Sequence, residues 1–422
     1  MIKNFTPFIA SLLIALPGWT QTVCRSFDYR QQQFSAHPEL AATAESIEQF
    51  THRQLQPSPV GITGQSSQRN ALAPITIPVV VHILYNNNAE NISDAQIQSE
   101  LKVLNNDYQK LNADTANIPS YYSSLAANTG FRFMLAGIDT NGNVTTGIVR
   151  KHTNVSVFSI TDNMKSSATG GDDAWDRNRY LNIWVCNLEN GVLGYSSVVG
   201  GPAQTDGVVV LYTAFGTTGA ARAPFNLGRT CTHEIGHWLN MIHVWGDADC
   251  GDDKVADTPP QSQATYGDPS GIILSCGNTQ YGNLYMDYMD FTDDIGMHMF
   301  TYGQRDRMRS LFAPGGFRYA LLSSPAATAP AGDGSQEVSG GGMTLAPEIY
   351  PNPATNFVVL SLKDPSQVGC MLKVYNQVGQ LMMATRVTQQ TFQLSVSSLS
   401  GGLYFISLGN GVGQCSLKFV KL

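Results

Sequence analysis

Three histidines and one glutamate stand close together in the stretch HEIGHWLNMIH, residues 233–243. His233 and His237 are about one helical turn apart, so on a helix their imidazoles project from the same face. Two imidazoles in this arrangement bind a single zinc ion through nitrogen at about 2.0–2.1 Å. Glu234 follows the first histidine and is expected to face the open side of the ion, where it takes a proton from a zinc-bound water.

His243 lies too far beyond His237 to reach the same ion along a straight helix. The helix must therefore end, and the chain must turn back, at Asn240. Such a reversal uses left-handed dihedrals, which glycine adopts most easily and asparagine next. Three neutral imidazoles leave a fourth position for water, as a catalytic zinc requires. The spacing predicts zinc held by three histidines, because a helix with incidental histidines needs neither His243 nor the turn residue.

The elements that must position this stretch are strands and one further helix. Ser93 and Gln96 form a capping box at the start of a helix with an apolar face. Dense β-branched and apolar runs predict four buried strands, at residues 74–85, 131–138, 179–188 and 207–212. The stretch with the histidines follows the last of these strands and a loop. The sequence therefore predicts an α/β domain, with a twisted mixed sheet and an active-site helix.

The N-terminal region has the composition of an export signal followed by a removable segment. Residues 1–21 carry one lysine, an apolar run and then small or polar residues, which is typical of a secretory signal peptide. No later run reaches about 18 apolar residues, so no transmembrane segment is expected after signal cleavage. Residues 22–69 are rich in Gln, Ser and Ala and predict a loosely structured propeptide that ends in a cleavable linker near Arg69.

The C-terminal region predicts a separate small domain. Residues 323–345 are rich in Pro, Ala, Gly and Ser and indicate a flexible linker. Residues 346–422 contain short alternating strands separated by Gly and Asn turns, which indicates an all-β sandwich. The domain between propeptide and linker, which carries the histidines, spans residues 70–322.

Charge and cysteine content narrow the function further. The chain has 25 Lys and Arg residues against 32 Asp and Glu, a net charge of −7, and this balance argues against nucleic acid as a partner. Seven cysteines in an exported chain leave at least one unpaired, and Cys24 is the natural candidate. Cys186 and Cys231 either pair or remain buried thiols.

Three motifs of the middle domain resemble the pappalysin family of metzincin metalloproteases, especially its bacterial, ulilysin-like members. They are HEIGHWLNMIHVWGD, DDKVADTP and YMDYMDFTDD, and the similarity covers about residues 74–317. The resemblance implies a metzincin-type fold and a secreted zinc-dependent endopeptidase made as a zymogen, with proteins or peptides as substrates. The alternative is a secreted binding or adhesion protein that keeps zinc with little catalytic activity.

The resemblance also implies roles for residues around the zinc. Met289 corresponds to the methionine in a tight turn below the ion, with Met286 as the alternative. Phe291 then replaces a tyrosine that helps to stabilise the oxyanion, which weakens turnover unless Tyr288 substitutes for it. Ile295 stands where arginine-preferring relatives have an acidic residue, so that preference is not expected.

Further implied features concern cysteines and calcium. Cys250 and Cys276 match a family disulfide, and Asp268 and Gly296 stand where a second cysteine pair is absent. Cys24 is either a cysteine switch, that is, a propeptide thiolate that binds the zinc and keeps water out, or an idle thiol. The family binds calcium near the stretch CGDDKVADTP, in which hard oxygen ligands would come from Asp252, Asp253, Asp257 and Thr258.

The end of the chain resembles the sorting domain of the type IX secretion route of some Gram-negative bacteria. The motifs are YPNPATNFVVLSL, VYNQVGQL, LSGGLYFISL and the terminal KFVKL. The resemblance implies that the bacterial secretion machinery is a partner, and that the protein is secreted or held at the cell surface. A generic β-sandwich binding module is the alternative.

Overall fold

The computed structural model describes residues 24–56, 73–278, 281–327, 348–362, 368–376, 380–408 and 415–422. The expected signal peptide, the expected cleavage region near Arg69 and most of the expected linker lie outside these residues. The described residues fall into two compact units, residues 24–327 and residues 348–422. Within them, no helix combines the length and the apolar character needed to cross a membrane.

A six-stranded mixed sheet forms the centre of the first unit. Its strands are β1 (Ile75–Tyr85), β2 (Phe131–Leu135), β3 (Ile148–His152), β4 (Leu181–Cys186), β5 (Gly194–Ser196) and β6 (Val208–Leu211). The order is β2-β1-β4-β6-β5, and β3 pairs with the second half of β1. All pairs are parallel except β5 with β6, and β5 lies at the edge. The mixed sheet expected from the sequence is confirmed.

Two helices pack on one face of this sheet. Helix α3 (Asp94–Tyr108) begins where predicted, and the Ser93 side chain accepts a hydrogen bond from the Gln96 amide at 3.2 Å. The next α-helix along the chain after α3 is α4 (Arg229–Trp238), which carries the histidine motif. Apolar residues of both helices join those of β1 in the largest core cluster, which excludes water behind the motif. Helix α5 (Tyr302–Ser310) follows later, with a complete capping box.

The expectation of a loosely structured N-terminal segment is wrong for residues 24–56. This segment forms helices α1 (Ser26–Ala36) and α2 (Pro38–Leu55). Tyr29 of α1 is fully buried in the second core cluster and its ring lies 5.0 Å from that of Tyr195 in β5. Packing against the rest of the unit stabilises these helices, and α1 has little apolar periodicity of its own.

The connection between α4 and α5 is irregular but braced. The predicted disulfide between Cys250 and Cys276 is present, with an S–S distance of 2.04 Å. Two short strands, β7 (Tyr266–Gly267) and β8 (Phe291–Thr292), pair in parallel. Cys186 and Cys231 do not pair, because they are buried thiols in different core clusters.

The second unit is an all-β sandwich, as expected. Its strands are β9 (Glu348–Tyr350), β10 (Phe357–Ser361), β11 (Met371–Asn376), β12 (Leu381–Arg386), β13 (Thr391–Ser395), β14 (Gly402–Leu408) and β15 (Cys415–Lys421). They form two antiparallel sheets, β13-β10-β9 and β12-β11-β14-β15. Val358, Leu372 and Ile406 belong to the apolar core between the two sheets, as a sandwich requires.

Candidate active site

The chain reverses direction directly after helix α4. The helix ends at Trp238, and Asn240 adopts left-handed dihedrals with φ 69°. The Met241 amide then donates to the Gly236 carbonyl at 3.0 Å, which closes the turn. Asparagine tolerates this conformation better than other residues with a side chain. The turn predicted at Asn240 is present, and it carries His243 back toward the helix.

Three imidazoles meet at one point beside this turn. The Nε2 atom of His237 lies 3.1 Å from that of His233 and 3.0 Å from that of His243. On their other sides, the Nδ1 atoms of His233 and His237 face the carbonyl oxygens of Tyr288 at 2.6 Å and Met241 at 2.9 Å. A carbonyl only accepts hydrogen bonds, so these Nδ1 atoms carry the protons and the Nε2 atoms present lone pairs.

Converging lone pairs form a group that could hold a cation. A tetrahedral ion bound at about 2.0–2.1 Å holds its ligand atoms roughly 3.3 Å apart, close to the nitrogen separations of 3.0 and 3.1 Å. Burial and the neighbouring His243 lower the pKa of His233 to about 3, and burial holds the pKa of His237 well below its ordinary value. Both imidazoles are therefore in the neutral form that binds a metal, and the donor set fits one small divalent ion.

Cys24 completes the group of potential metal ligands. Its Sγ and one nitrogen of each of the three histidines all lie within 4.8 Å of one another. The thiol is buried, and its segment is fixed by the edge strand, since the Arg25 amide donates to the Gly194 carbonyl at 3.0 Å. The structure thus brings a sulfur atom of the N-terminal segment to the position that the three histidines leave open.

Glu234 is buried beside these ligands. Its Oε2 accepts a hydrogen bond from the Ser26 hydroxyl at 2.8 Å and lies 3.6 Å from the Cys24 sulfur. Its Oε1 has no partner among the described residues. Burial raises the pKa of Glu234 to about 8, partly offset by the hydrogen bond from Ser26. The residue is thus placed to exchange a proton at the metal site, but Ser26 occupies one of its oxygens.

Gly194 of β5 is a site residue that the sequence did not reveal. A Cβ atom at this position would lie 2.8 Å from Cγ of Glu234 and 2.9 Å from the Val209 carbonyl. Only glycine therefore lets the edge strand pass so close to the carboxylate. A single glycine in a Gly-rich connection gives no local signal of this contact.

The methionine below the site is Met289. A Cβ atom on Gly236 of α4 would lie 2.4 Å from its sulfur, so the thioether packs directly under the helix. The preceding residue, Tyr288, supplies the carbonyl that orients His233. Met286, the alternative, packs in another cluster with Ile118 and Tyr122. The geometry favours Met289 over Met286 as the turn methionine.

Phe291 takes a place at the metal site without a polar atom. Its ring centroid lies 4.8 Å from that of His243 and 5.7 Å from that of His233. The hydroxyl of Tyr288 lies elsewhere, because that side chain is fully buried and its oxygen is 3.5 Å from the Arg229 guanidinium. Tyr288 therefore does not substitute for the missing phenol.

Asp247 is a second residue that the sequence reasoning missed. Its Oδ1 accepts from Nδ1 of His243, and its Oδ2 forms an ion pair of 2.8 Å with Arg30 of α1. The carboxylate thus orients the third imidazole as a carbonyl orients each of the other two. Its spacing of four residues from His243 is a weak signal, because the chain after Asn240 is not helical.

The residues expected to bind calcium belong to separate networks. Asp252 pairs with Lys254 at 2.7 Å, and Asp253 accepts from the Thr258 hydroxyl at 2.9 Å. Asp257 instead accepts from the Thr301 hydroxyl at 2.7 Å, at the start of α5. Asp253 and Thr258 are therefore in contact, whereas Asp257 is hydrogen-bonded to the start of α5.

Asp268 and Gly296, the two positions where a second family cysteine pair is absent, lie near the exposed Ile295. A Cβ atom on Gly296 would lie 3.8 Å from a carboxylate oxygen of Asp268, so the two positions are neighbours. Both line a cavity of about 410 Å³ with Ile295. An apolar residue at this point offers no charge partner for an arginine.

Two family models match the chain. Residues 165–313 match the peptidase family described as pregnancy-associated plasma protein-A, and residues 348–422 match the secretion system C-terminal sorting domain. The extracellular metalloprotease of Pyricularia oryzae is 32% identical over 248 residues, 57% of this chain and 75% of that protein. That of Arthroderma otae is 32% identical over 254 residues, 58% of this chain and 80% of that protein.

Solved structures are similar over more of the chain. Mature mirolysin of Tannerella forsythia, in complex with a cleaved peptide, is 47% identical and covers 62% of this chain and 99% of its own length, with a TM-score of 0.60. A promirolysin variant from the same organism is 42% identical, with a TM-score of 0.66, and covers 74% of this chain and 99% of its own length. The promirolysin match thus extends over a larger share of this chain.

Proposed function

This chain belongs to the pregnancy-associated plasma protein-A peptidase family and is a secreted or cell-surface metalloendopeptidase, and from that premise we propose that it is a zinc enzyme made in latent form. His233, His237 and His243 would hold the zinc, and Glu234 would be the general base. The observation that carries the proposal is the convergence of three Nε2 lone pairs, with protonated Nδ1 atoms behind two of them.

The chemistry divides between the ion and the carboxylate. When bound, zinc supplies a Lewis acid that polarises the scissile carbonyl and makes water more acidic. Glu234 takes the proton of the attacking water and later gives it to the leaving amine. Asp247 positions His243, and the carbonyls of Tyr288 and Met241 position the other two imidazoles.

Latency follows from two contacts of the N-terminal segment. Cys24 would fill the fourth position on the zinc, where water must bind. Ser26 occupies Oε2 of Glu234 and also accepts from the Ser196 amide at 2.8 Å, so it is fixed on both sides. We assign residues 22–69 to the propeptide and residues 70–322 to the catalytic domain. The larger share of the chain matched by promirolysin supports this division.

The second unit is a secretion sorting domain by its match. We propose that residues 346–422 direct the protein to a type IX secretion route and contact the bacterial secretion machinery, with residues 323–345 as a linker. Proteins or peptides are the proposed substrates. The calcium site at Asp252, Asp253, Asp257 and Thr258 remains a prediction from the resemblance.

Replacement of Glu234 tests the proposal directly. Glu234→Ala in the processed protein should retain zinc, measured by metal analysis after dialysis, and lose cleavage of casein. Glu189→Ala, a carboxylate outside the site, is the matched control and should cleave casein like the wild type. His243→Ala should lose zinc under the same dialysis. Casein cleavage by the Glu234→Ala protein would refute the assignment of the base.

A further inference from the structure

Arg307 of helix α5 is a buried cation whose counter-charge comes from the propeptide. Only 1% of its side chain is exposed, and its Nε donates to the Asn240 carbonyl at 2.9 Å. Its two terminal nitrogens donate to Oε1 and Oε2 of Glu48 at 2.7 and 2.6 Å. This two-pronged contact is the strongest geometry for an arginine and a carboxylate. Glu48 lies in α2, which leaves when the propeptide is removed.

A cavity of about 340 Å³ connects Arg307 with the metal site. Its walls from the catalytic part include His237, Asn240 and Asp247, together with residues 196–199 at the end of the edge strand. Residues of α1 and α2, Glu48 among them, form the remaining wall. Removal of the propeptide opens this cavity into a groove that runs from a zinc ligand to the Arg307 guanidinium.

The groove keeps its charge after the propeptide leaves. Among the described residues, the ion pair of Arg307 is with Glu48. Asp252 and Asp253 also interact electrostatically with Arg307, but their direct contacts are with Lys254 and with the Thr258 hydroxyl, so neither fills the fork that Glu48 vacates. The guanidinium fork that Glu48 vacates matches an incoming carboxylate, which would restore the two-pronged contact.

The opposite end of the groove carries the carboxylate of Asp247 beside the proposed zinc ligands. Asp247 loses Arg30 together with the propeptide and retains its contact with His243. A substrate carboxylate therefore meets another carboxylate at the Asp247 end and finds the guanidinium fork only at the Arg307 end. The groove discriminates by position along the peptide and not by net charge alone.

We propose that Arg307 is a specificity-determining residue of the mature protease, which binds the carboxylate of a substrate glutamate or aspartate some residues away from the scissile bond. The carboxylate takes the place that Glu48 holds in the latent form. This inference rests on the proposed function, because it takes the groove as the substrate cleft and residues 22–69 as removed.

The test uses the processed wild-type enzyme and a panel of internally quenched peptides. Each peptide carries either Glu or Gln at one position, with the rest of the sequence unchanged. At one position, Glu should raise kcat/KM about tenfold over Gln, mainly through KM, and high salt should reduce the preference. A Glu-to-Gln ratio within twofold at every position would overturn the inference.

Variants assign the preference to the guanidinium. Arg307→Lys keeps the charge but loses the fork, so the ratio should fall to a few-fold, and Arg307→Met should bring it to about one. Arg305→Met is the control, because Arg305 lies on the same helix but pairs with Asp306, and it should keep the wild-type ratio. An unchanged ratio in Arg307→Lys and Arg307→Met would overturn the inference whatever their overall activity.

The ratio is measured within one preparation, so partial loss of folded enzyme does not affect it. If Arg307→Met does not fold, the wild-type panel and Arg307→Lys decide. Cleavage of the panel with a flat ratio removes this inference alone. If the wild type cleaves no more of the panel than Glu234→Ala does, the proposed function fails as well, so the two failures are distinguishable.

Discussion

Two regions of the N-terminal segment hold it on the rest of the first unit, and they contact different kinds of group. Residues 24–26 lie against the three histidines and Glu234. Helices α1 and α2 make apolar and ionic contacts elsewhere, through Tyr29 and Glu48. The first region is short and contacts the site through the neutral side chains of Cys24 and Ser26, whereas the second buries an aromatic ring and an ion pair. Blocking the chemistry and docking the segment are therefore separate tasks, performed by different residues.

Replacement of Cys24 should release the block on the chemistry and leave the docking of the N-terminal segment intact. In Cys24→Ala, the uncut precursor should cleave a quenched peptide on the order of a hundredfold faster than the wild-type precursor, because the fourth metal position becomes accessible to water. Its thermal transition should move little, since the side chain is small. Gel analysis at the time of the assay verifies that the precursor is intact.

Cys370→Ser supplies the matched control, because this free cysteine lies in the second unit. Its precursor should stay as latent as the wild type. Latency of the Cys24→Ala precursor at the wild-type level would show that the thiol is idle and that other contacts block the site.

Replacement of Tyr29 should have the opposite effect, weakening the docking of the N-terminal segment and leaving the block on the chemistry in place. Tyr29→Ala removes a fully buried ring that packs on Tyr195 and donates to Asp162 at 2.5 Å. Loss of such a ring costs about 3 kcal/mol, which corresponds to a fall of roughly 6–10 °C in the melting temperature of the precursor. The intact precursor should remain largely latent, because Cys24 is still in place.

Tyr29→Phe separates the ring from its hydroxyl and should lose only about 1–2 kcal/mol. The processed enzymes of both variants should melt like the wild type, since residue 29 has been removed. A Tyr29→Ala precursor that gains activity as strongly as Cys24→Ala would break the division between the two regions.

The same division explains what could be read from the sequence. The histidine site depends on residues that are close together in the sequence. The spacing of His233, His237, Asn240 and His243 along the chain specifies both the turn and the meeting point of the three imidazoles. The strands of the sheet are likewise local runs of apolar residues. The convergence of the three histidines and the strands of the sheet could therefore be predicted from the sequence alone.

Long-range partners were not accessible in this way. Glu48 and Arg307 are 259 residues apart, and Ser26 and Glu234 are 208 apart. Helix α1 shows no clear apolar stripe, because one ring, Tyr29, accounts for much of its burial. A polar or aromatic residue whose partner lies in another element has no pattern around it in the sequence.

The ion pair of the second region makes docking sensitive to pH. Burial would raise the pKa of Glu48, but Arg307 outweighs it and holds the pKa below its ordinary value. A depressed pKa contributes stability above the unfolded pKa of about 4.3, and this stability is lost as the pH falls through the folded value. The melting temperature of the precursor should therefore fall as the pH drops below about 4.3.

Glu48→Gln removes that contribution and should lower precursor stability at pH 7 by about 1–2 kcal/mol, less than Tyr29→Ala, because Glu48 is partly exposed. Its melting temperature should also change less than that of the wild type between pH 6 and about pH 3.5. The measurement is a melting series of both precursors in matched buffers. Equal acid dependence of the two proteins would remove Glu48 as the titrating anchor.

The smallest expected effect concerns the metal site after Cys24 has left it. Phe291 packs against His243 and His233 but offers no donor to an oxyanion. Phe291→Tyr places a phenol at the ring edge, and we expect kcat of the processed enzyme to rise about threefold, with little change in KM, because the added donor acts on charge that develops only in the transition state.

The control for this substitution is Tyr266→Phe. The ring of Tyr266 lies 6.0 Å from that of Phe291 and is mostly exposed, so loss of its hydroxyl should leave kcat unchanged. A Phe291→Tyr enzyme with unchanged or lower kcat would mean that a phenol at this ring does not reach the oxyanion. The oxyanion would then need a donor other than Phe291 or the buried Tyr288.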